Sequence, residues 1–158
     1  MNEQTKQLVT LHINDMVKEV FVRNAETLLE TLRNQLGLTS AKPGCGNGDC
    51  GACTVLINDL PVNACHILSV EACNHSITTI EGLQDTNVQN AFINNWAIQC
   101  GYCTPGFILN CHALLKHHPQ ADDKTIEEWL DSNICRCTGY QEIKEVVKEL
   151  MQVEKANG

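Results

Sequence analysis

Cys45-Gly46-Asn47-Gly48-Asp49-Cys50-Gly51-Ala52-Cys53, joined downstream by Cys65, places four thiols at C-x4-C-x2-C…C spacing. Three ligands this close in sequence oblige the backbone to curl around one side of whatever they hold. Gly44, Gly46, Gly48 and Gly51 supply that freedom, because glycine takes positive φ and lets amides approach sulfur. A second quartet, Cys100-x2-Cys103 with Cys135-x-Cys137, lies in the other half of the chain. Eight of the ten cysteines thus form two sets of four, the ligand number of a [2Fe–2S] centre. Two redox centres in 158 residues point to electron relay rather than to substrate chemistry.

The first spacing is that of the plant-type ferredoxin loop, whereas a Zn²⁺ knuckle prefers two separated C-x2-C pairs. The second quartet is less specific, and taken alone it also admits zinc. Its residence beside a plant-type loop favours iron–sulfur. Cys100 and Cys103 precede a Thr104-Pro105 helix start, and Cys135 and Cys137 precede Thr138, a candidate cap. Exposed amides and the positive dipole end at a helix N-terminus suit thiolates and an anionic cluster.

The formal net charge is −8, and each oxidised cluster with its thiolates adds about −2 more. No basic stripe offsets that repulsion, so nucleic acid is excluded as a partner. No apolar run approaches the roughly 20 residues of a membrane span. The opening Met1 to Lys6 is polar and lacks the features of a secretory signal, so a reducing, cytoplasmic setting is expected. Disulfides are then disfavoured.

The first half reads as sheet with one helix. Leu8 to Ile13 and Val17 to Val22 are strands around an Asn14-Asp15 turn. Thr27-x-x-Glu30 is a capping box opening a helix with Leu28, Leu29, Leu32 and Leu36 on one face and Gly37 at its end. Thr54 to Ile57 and Pro61 to Ala64 flank the Asn58-Asp59 turn, and Ser76 to Ile80 supplies a last strand. Beyond Gly82 to Thr86 helical periodicity takes over. Four helices are expected, opened by Thr86-x-x-Gln89, Thr104-Pro105, Thr125-x-x-Glu128 and Thr138-x-x-Gln141. Short connections between them read as a bundle. The expected architecture is α+β: a β-grasp, plant-type ferredoxin-like domain over 7–82, then a four-helix-bundle [2Fe–2S]-binding domain over 83–153. Both ends, Met1 to Lys6 and Glu154 to Gly158, are expected to fray.

Gly44-Cys45-Gly46-Asn47-Gly48-Asp49-Cys50-Gly51-Ala52-Cys53-Thr54, Gln99-Cys100-Gly101-Tyr102-Cys103-Thr104-Pro105-Gly106 and Cys135-Arg136-Cys137-Thr138-Gly139-Tyr140 together resemble the small iron–sulfur subunit of the molybdenum hydroxylases. These are the xanthine dehydrogenase, aldehyde oxidoreductase and carbon monoxide dehydrogenase family. The resemblance covers nearly the whole chain, with one departure: Ser132-Asn133-Ile134 stands where the family commonly has Gly-Asn-Leu.

The resemblance implies an oxidoreductase subunit without a substrate site of its own. Electrons would leave a molybdopterin held by a large partner subunit. They would pass a proximal cluster on Cys100, Cys103, Cys135 and Cys137, then a distal one on Cys45, Cys50, Cys53 and Cys65. FAD on a medium partner subunit would receive them. Gln99 matches a glutamine that hydrogen-bonds the pterin across the interface, and Cys137 the ligand nearest it. A heterotrimer or a dimer of heterotrimers is implied, most often a xanthine (purine) dehydrogenase. Aldehyde, nicotinate or carbon monoxide dehydrogenase stands as the alternative, as does a stand-alone two-cluster ferredoxin.

Cys111, on an apolar helix face, reads as a small buried hydrophobe, and Cys73 as a spectator thiol. Trp96 and Trp129 fall at core-facing helix positions. The histidines are scattered, and neither a nucleophile with its base nor a dinucleotide loop is present.

Overall fold

The computed structural model describes residues 6–157. Strands β1 (Lys6–Ile13) and β2 (Met16–Arg23) form an antiparallel hairpin. Its turn places Asn14 and Asp15 at φ 52° and 61°, the primed geometry that matches strand twist. Helix α1 (Leu28–Asn34) opens on the capping box expected of Thr27 and Glu30. The Glu30 amide donates to Thr27 Oγ1 at 3.2 Å and the Thr27 amide to Glu30 Oε2 at 2.9 Å.

After the cysteine loop come β3 (Thr54–Ile57) and β4 (Leu60–Asn63), with Asn58 and Asp59 again at positive φ. Strand β5 (Ser76–Thr78) then slots parallel to β1 and antiparallel to β3. The sheet order is β2-β1-β5-β3-β4. Alternation along β1 turns Val9, Leu11 and Ile13 inward onto Leu28, Leu29 and Leu32 of α1. Each such side chain stabilises the sheet-on-helix grip by about 1.5–3 kcal/mol.

A single turn of 3-10 helix (Ile80–Gly82) leads to α2 (Asn87–Asn94), α3 (Thr104–His117), α4 (Asp123–Leu130) and α5 (Gln141–Asn157). Their shared core contains Phe92, Phe107, Leu114, Ile126, Ile143 and Val147. All four helix starts differ from expectation, that of α3 by a single residue, Cys103 standing as its N-cap. Thr86 caps α2 with its backbone only, and Asp85 Oδ1 accepts from the Asn87 amide instead. Asp122, not Thr125, caps α4: its carboxylate accepts from the Thr125 amide at 2.8 Å, and a carboxylate is the better acceptor. Thr138 stands before α5 and uses its hydroxyl elsewhere.

Helix α3 also serves the sheet. Leu109 and Ala113 form a buried cluster with Leu56 of β3. At the far end of α3, Lys116 Nζ lies 2.8 Å from Asp59 and the His117 ring 3.1 Å from the Asp59 carbonyl.

Trp96 is the largest correction. It is 84 % exposed, not core-facing, and Ile93 beside it is 61 % exposed. The end of α2 explains this. The Ala97 amide reaches the Phe92 carbonyl and the Trp96 amide the Ile93 carbonyl, a Schellman closure with Trp96 in the left-handed position at φ 58°. The closure buries Ala97 against Phe92 and throws the indole outward. Trp129 does pack against the core.

Of the ends expected to fray, residues 1–5 and 158 lie outside the described residues, whereas Lys6 opens β1 and the backbone of 154–157 continues α5. Among the described residues no helix is long and apolar enough to cross a membrane.

Candidate iron–sulfur centres

All ten cysteines are free thiols. The loop between α1 and β3 turns back on itself through Gly46, Gly48 and Gly51, all at positive φ; Gly44 is not, and its missing Cβ leaves room for Cys50 Sγ. Cys45 is exposed and ringed by amides. Asp49 and Cys50 donate to its sulfur at 3.3 and 3.4 Å, and the Cys45 amide donates back to Cys50 Sγ at 3.3 Å. Hydrogen bonding from the Asn47 amide, seconded by these neighbours, draws the Cys45 thiol down to about 7. Cys53 is buried against Cys65, and burial pushes it up to about 12. It also feels Cys50, so the four sulfurs form one interacting group. Asn63 of β4 fastens the loop by donating to the Gly48 carbonyl at 2.7 Å.

The second quartet assembles from two segments. Cys103 is itself the N-cap residue of α3, one position earlier than the expected Thr104. Cys100 pairs with Cys137, and Cys103 with Cys135. The Tyr102 amide, followed by the Cys137 contact, lowers the Cys100 thiol. Burial pushes Cys103 up to about 12. Burial also acts to raise Cys135, but the Thr138 hydroxyl and amide, at 3.1 and 3.4 Å from its sulfur, bring it below its ordinary value. Contact with the Cys100 thiol raises Cys137. The Cys135 amide donates to the Tyr140 hydroxyl at 3.0 Å, and that ring stands edge-on to Phe107.

The second quartet, Cys100, Cys103, Cys135 and Cys137, lines a cavity of about 190 Å³ that Cys50 of the first quartet and Ala52 also border. The donor chemistry fits a two-iron centre in each, with four sulfurs and amides directed at them, and the second quartet lines open space. Among the described residues no three His, Cys, Asp or Glu side chains gather as ligands of a single ion do. Sulfurs shared two and two between bridged irons need no such common point.

Gln99 is exposed beside Cys100 and makes no hydrogen bond within the described residues. Cys111 is buried in the helical core, where desolvation pushes it up to about 12, and Cys73 points to the Ser69 carbonyl at 3.8 Å. Neither joins a quartet.

Sequence reasoning missed the residues that hold the quartets in place. Thr138 and Tyr140 lie within the Cys135 motif, and their chemistry as sulfur and amide partners was there to be read. Asn133 had no local signal. It is buried, donates to the Gly51 carbonyl at 2.9 Å and accepts from Asn110 at 3.0 Å. Beside it the Ile134 amide donates to the Cys50 carbonyl at 3.0 Å. Ser132 contributes a hydroxyl that donates to Asn133 Oδ1 at 3.0 Å.

Residues 11–78 match the 2Fe-2S iron-sulfur cluster binding domain, and residues 79–148 the [2Fe-2S] binding domain. The nicotinate dehydrogenase small FeS subunit of Eubacterium barkeri is 40% identical over 147 residues, covering 90% of this chain and 94% of that one. A Bacillus subtilis protein named as a probable xanthine dehydrogenase subunit is 45% identical over 138 residues, 85% of this chain and 80% of its own length. Among solved structures, quinoline 2-oxidoreductase from Pseudomonas putida 86 superposes with a TM-score of 0.87 at 32% identity, over 96% of this chain and 97% of that one.

Proposed function

This chain belongs to the small iron–sulfur subunits of the molybdenum hydroxylases, and from that membership we propose the roles of its residues. It is an electron-transfer subunit. Cys100, Cys103, Cys135 and Cys137 hold a proximal [2Fe–2S] centre within a helical unit over 83–153. Cys45, Cys50, Cys53 and Cys65 hold a distal one within a ferredoxin-like unit over 7–82. The observation that carries this reading is the gathering of eight thiols, scattered over the sequence, into two four-membered groups, the second of them lining one cavity together with Cys50 of the first.

Each centre, when bound, carries one electron at a time. The chain's own groups set how readily. The amides of Asp49 and Cys50 on Cys45, and the Thr138 hydroxyl on Cys135, point positive hydrogens at sulfur and favour the more negative, reduced state. Gln99 and Cys137 face the molybdopterin of a large partner subunit, and the Cys45 side faces the FAD of a medium one, in a cytoplasmic complex. Their exposure supports this, because a surface thiol and an unpartnered amide stand ready for contact.

The complex oxidises xanthine or a related purine, a reading supported by the 45% identity to the Bacillus protein. Nicotinate is the second reading, because that relative aligns over more of this chain. Purifying the complex from its host and assaying both substrates decides between them. Metal analysis tests the centres: four irons and four sulfides per chain are expected, and stoichiometric zinc without labile sulfide rejects them. Cys137→Ser should erase one paramagnetic signal and spare the other. Gln99→Ala should keep both signals and loosen the pterin; unchanged turnover and pterin retention reject that role. A chain that is active as a monomer, without partners, would instead be a free ferredoxin.

A further inference from the structure

Lys42 precedes the first cysteine loop, yet its side chain reaches toward the second quartet. Its backbone amide donates to the Ala52 carbonyl at 2.9 Å, which pins it to the loop between Cys50 and Cys53. Its Nζ lies 5.8 Å from the centroid of the Tyr102 ring, over the ring, and Tyr102 falls between Cys100 and Cys103. An ammonium within about 6 Å of a ring centroid is attracted by the negative aromatic face. The Tyr102 hydroxyl donates to the Pro43 carbonyl at 2.7 Å, so the ring is fixed beside the segment that carries Lys42.

No carboxylate takes up this charge. Among the described residues Lys42 makes no ion pair, and its ammonium donates to the Ser40 carbonyl at 2.9 Å. Glu81, the acid whose charge Lys42 feels, is itself occupied by Ser40, whose amide donates to it at 3.0 Å and whose hydroxyl donates as well. Arg33, the neighbouring cation, commits one guanidinium nitrogen to the Thr39 and Ala41 carbonyls at 2.8 Å each. Lys42 is half-buried. Burial, then the Arg33 charge, draw its ammonium below the ordinary lysine value, while Glu81 and the Cys103 thiol favour the charged form. An anionic centre beside it favours that form further.

We infer that Lys42 sets the potential of the helical-side centre: its ammonium, held over Tyr102 and left without a carboxylate partner, favours the reduced state of a cluster on Cys100, Cys103, Cys135 and Cys137. The inference rests on the reading of that quartet as a [2Fe–2S] site and adds the residue that biases it. Reduction gives the centre one more negative charge and breaks no bond in the chain. A fixed cation nearby stabilises that state over the oxidised one. Among the thiols, Cys103 is the one whose charge registers at Lys42, so the bias falls on the second quartet rather than the first. Arg136 stands between Cys135 and Cys137 but is exposed, where water and salt screen its charge.

The test uses the assembled complex. Iron, sulfide and two paramagnetic signals are measured first in the unaltered protein; their absence overturns the reading of the sites and this inference with it. Cys137→Ser, which erases the helical-side signal, tells the two signals apart. An anaerobic redox titration followed by paramagnetic resonance then gives a midpoint potential for each centre. Lys42→Gln keeps an N–H to offer the Ser40 carbonyl and removes the charge. It should move the helical-side midpoint negative, and the ferredoxin-side one less. Lys42→Arg, which keeps the charge, should bring the midpoint back. Lys124→Gln removes the same charge from an exposed site and should move neither centre. If Lys42→Gln does not assemble, Lys42→Met decides by the same criteria. A helical-side midpoint that stays in place overturns the inference, as does one that moves no further than the other centre's. So does an equal shift in Lys124→Gln, or a shift that Lys42→Arg fails to reverse.

Discussion

Gly106→Ala is a single-methyl change whose outcome turns on a contest of magnitudes. Glycine inside α3 costs about 1 kcal/mol against alanine, so on helix propensity alone the variant would be more stable. The packing says otherwise. The added Cβ would overlap the Gly51 carbonyl and lie 2.8 Å from Asn133 Nδ2, and neither neighbour is the free end of a flexible side chain. Overpacking of this kind costs about 1–3 kcal/mol. Parting Asn133 from Gly51 strands a buried amide and its acceptor, about 1–3 kcal/mol more. The net is destabilisation centred near 3 kcal/mol. For a chain of this size that lowers the thermal midpoint by roughly 6–12 °C. Calorimetry of the loaded chain measures it. Gly101→Ala provides the control, since that site has φ 80° but open space, and should cost only about 1 kcal/mol from backbone strain. A midpoint for Gly106→Ala equal to or above that of the unaltered protein would refute the claim that the two halves close tightly on this glycine.

Cys111→Ser should cost about 1–3 kcal/mol, by placing a hydroxyl in an apolar core, while iron and sulfide contents stay unchanged; a fall in iron per folded chain would make Cys111 a ligand after all. Thr138→Val removes the hydroxyl that donates to Cys135 Sγ and should shift the helical-side midpoint potential negative, leaving the other centre unmoved in a redox titration. Burial holds His112 below the ordinary imidazole range, with Asp85 and Asp59 opposing and Lys116 reinforcing. The unfolded chain therefore takes up a proton first. The contribution of His112 to stability is complete above about pH 6.5 and is lost as pH falls through the folded value. Urea midpoints should decline over that window, and His112→Gln should flatten the slope.

Legibility in the sequence followed the range of the interaction. Both hairpin turns and the Thr27–Glu30 box are local chemistry, and each stands in the structure at the residues expected. The four amphipathic segments after Gly82 were readable from their periodicity. Where two local signals competed, the weaker acceptor lost: Asp122 took the cap from Thr125. Trp96 shows a different limit. Its apolar character and helical spacing pointed inward, but the last turn of α2 closes around Ala97, so backbone geometry overrode hydrophobicity. The contacts of Asn133 with the sheet half were illegible because their partners lie 79 and 82 residues away, and the glycines beside it look like ordinary loop and helix residues.

Helix α3 is laid along the sheet half for its full length, by Gly106 against Gly51, by Leu109 and Ala113 on Leu56, and by Lys116 and His117 on Asp59. Proteins that ferry charge by swinging a carrier arm between stations are slowed by a thick medium, because the arm must push solvent aside. A chain riveted at three points along one rod has no arm to swing. Its internal conduction should run at the same speed in glycerol as in buffer, so that any drag felt by the whole assembly must originate in substrate or acceptor exchange.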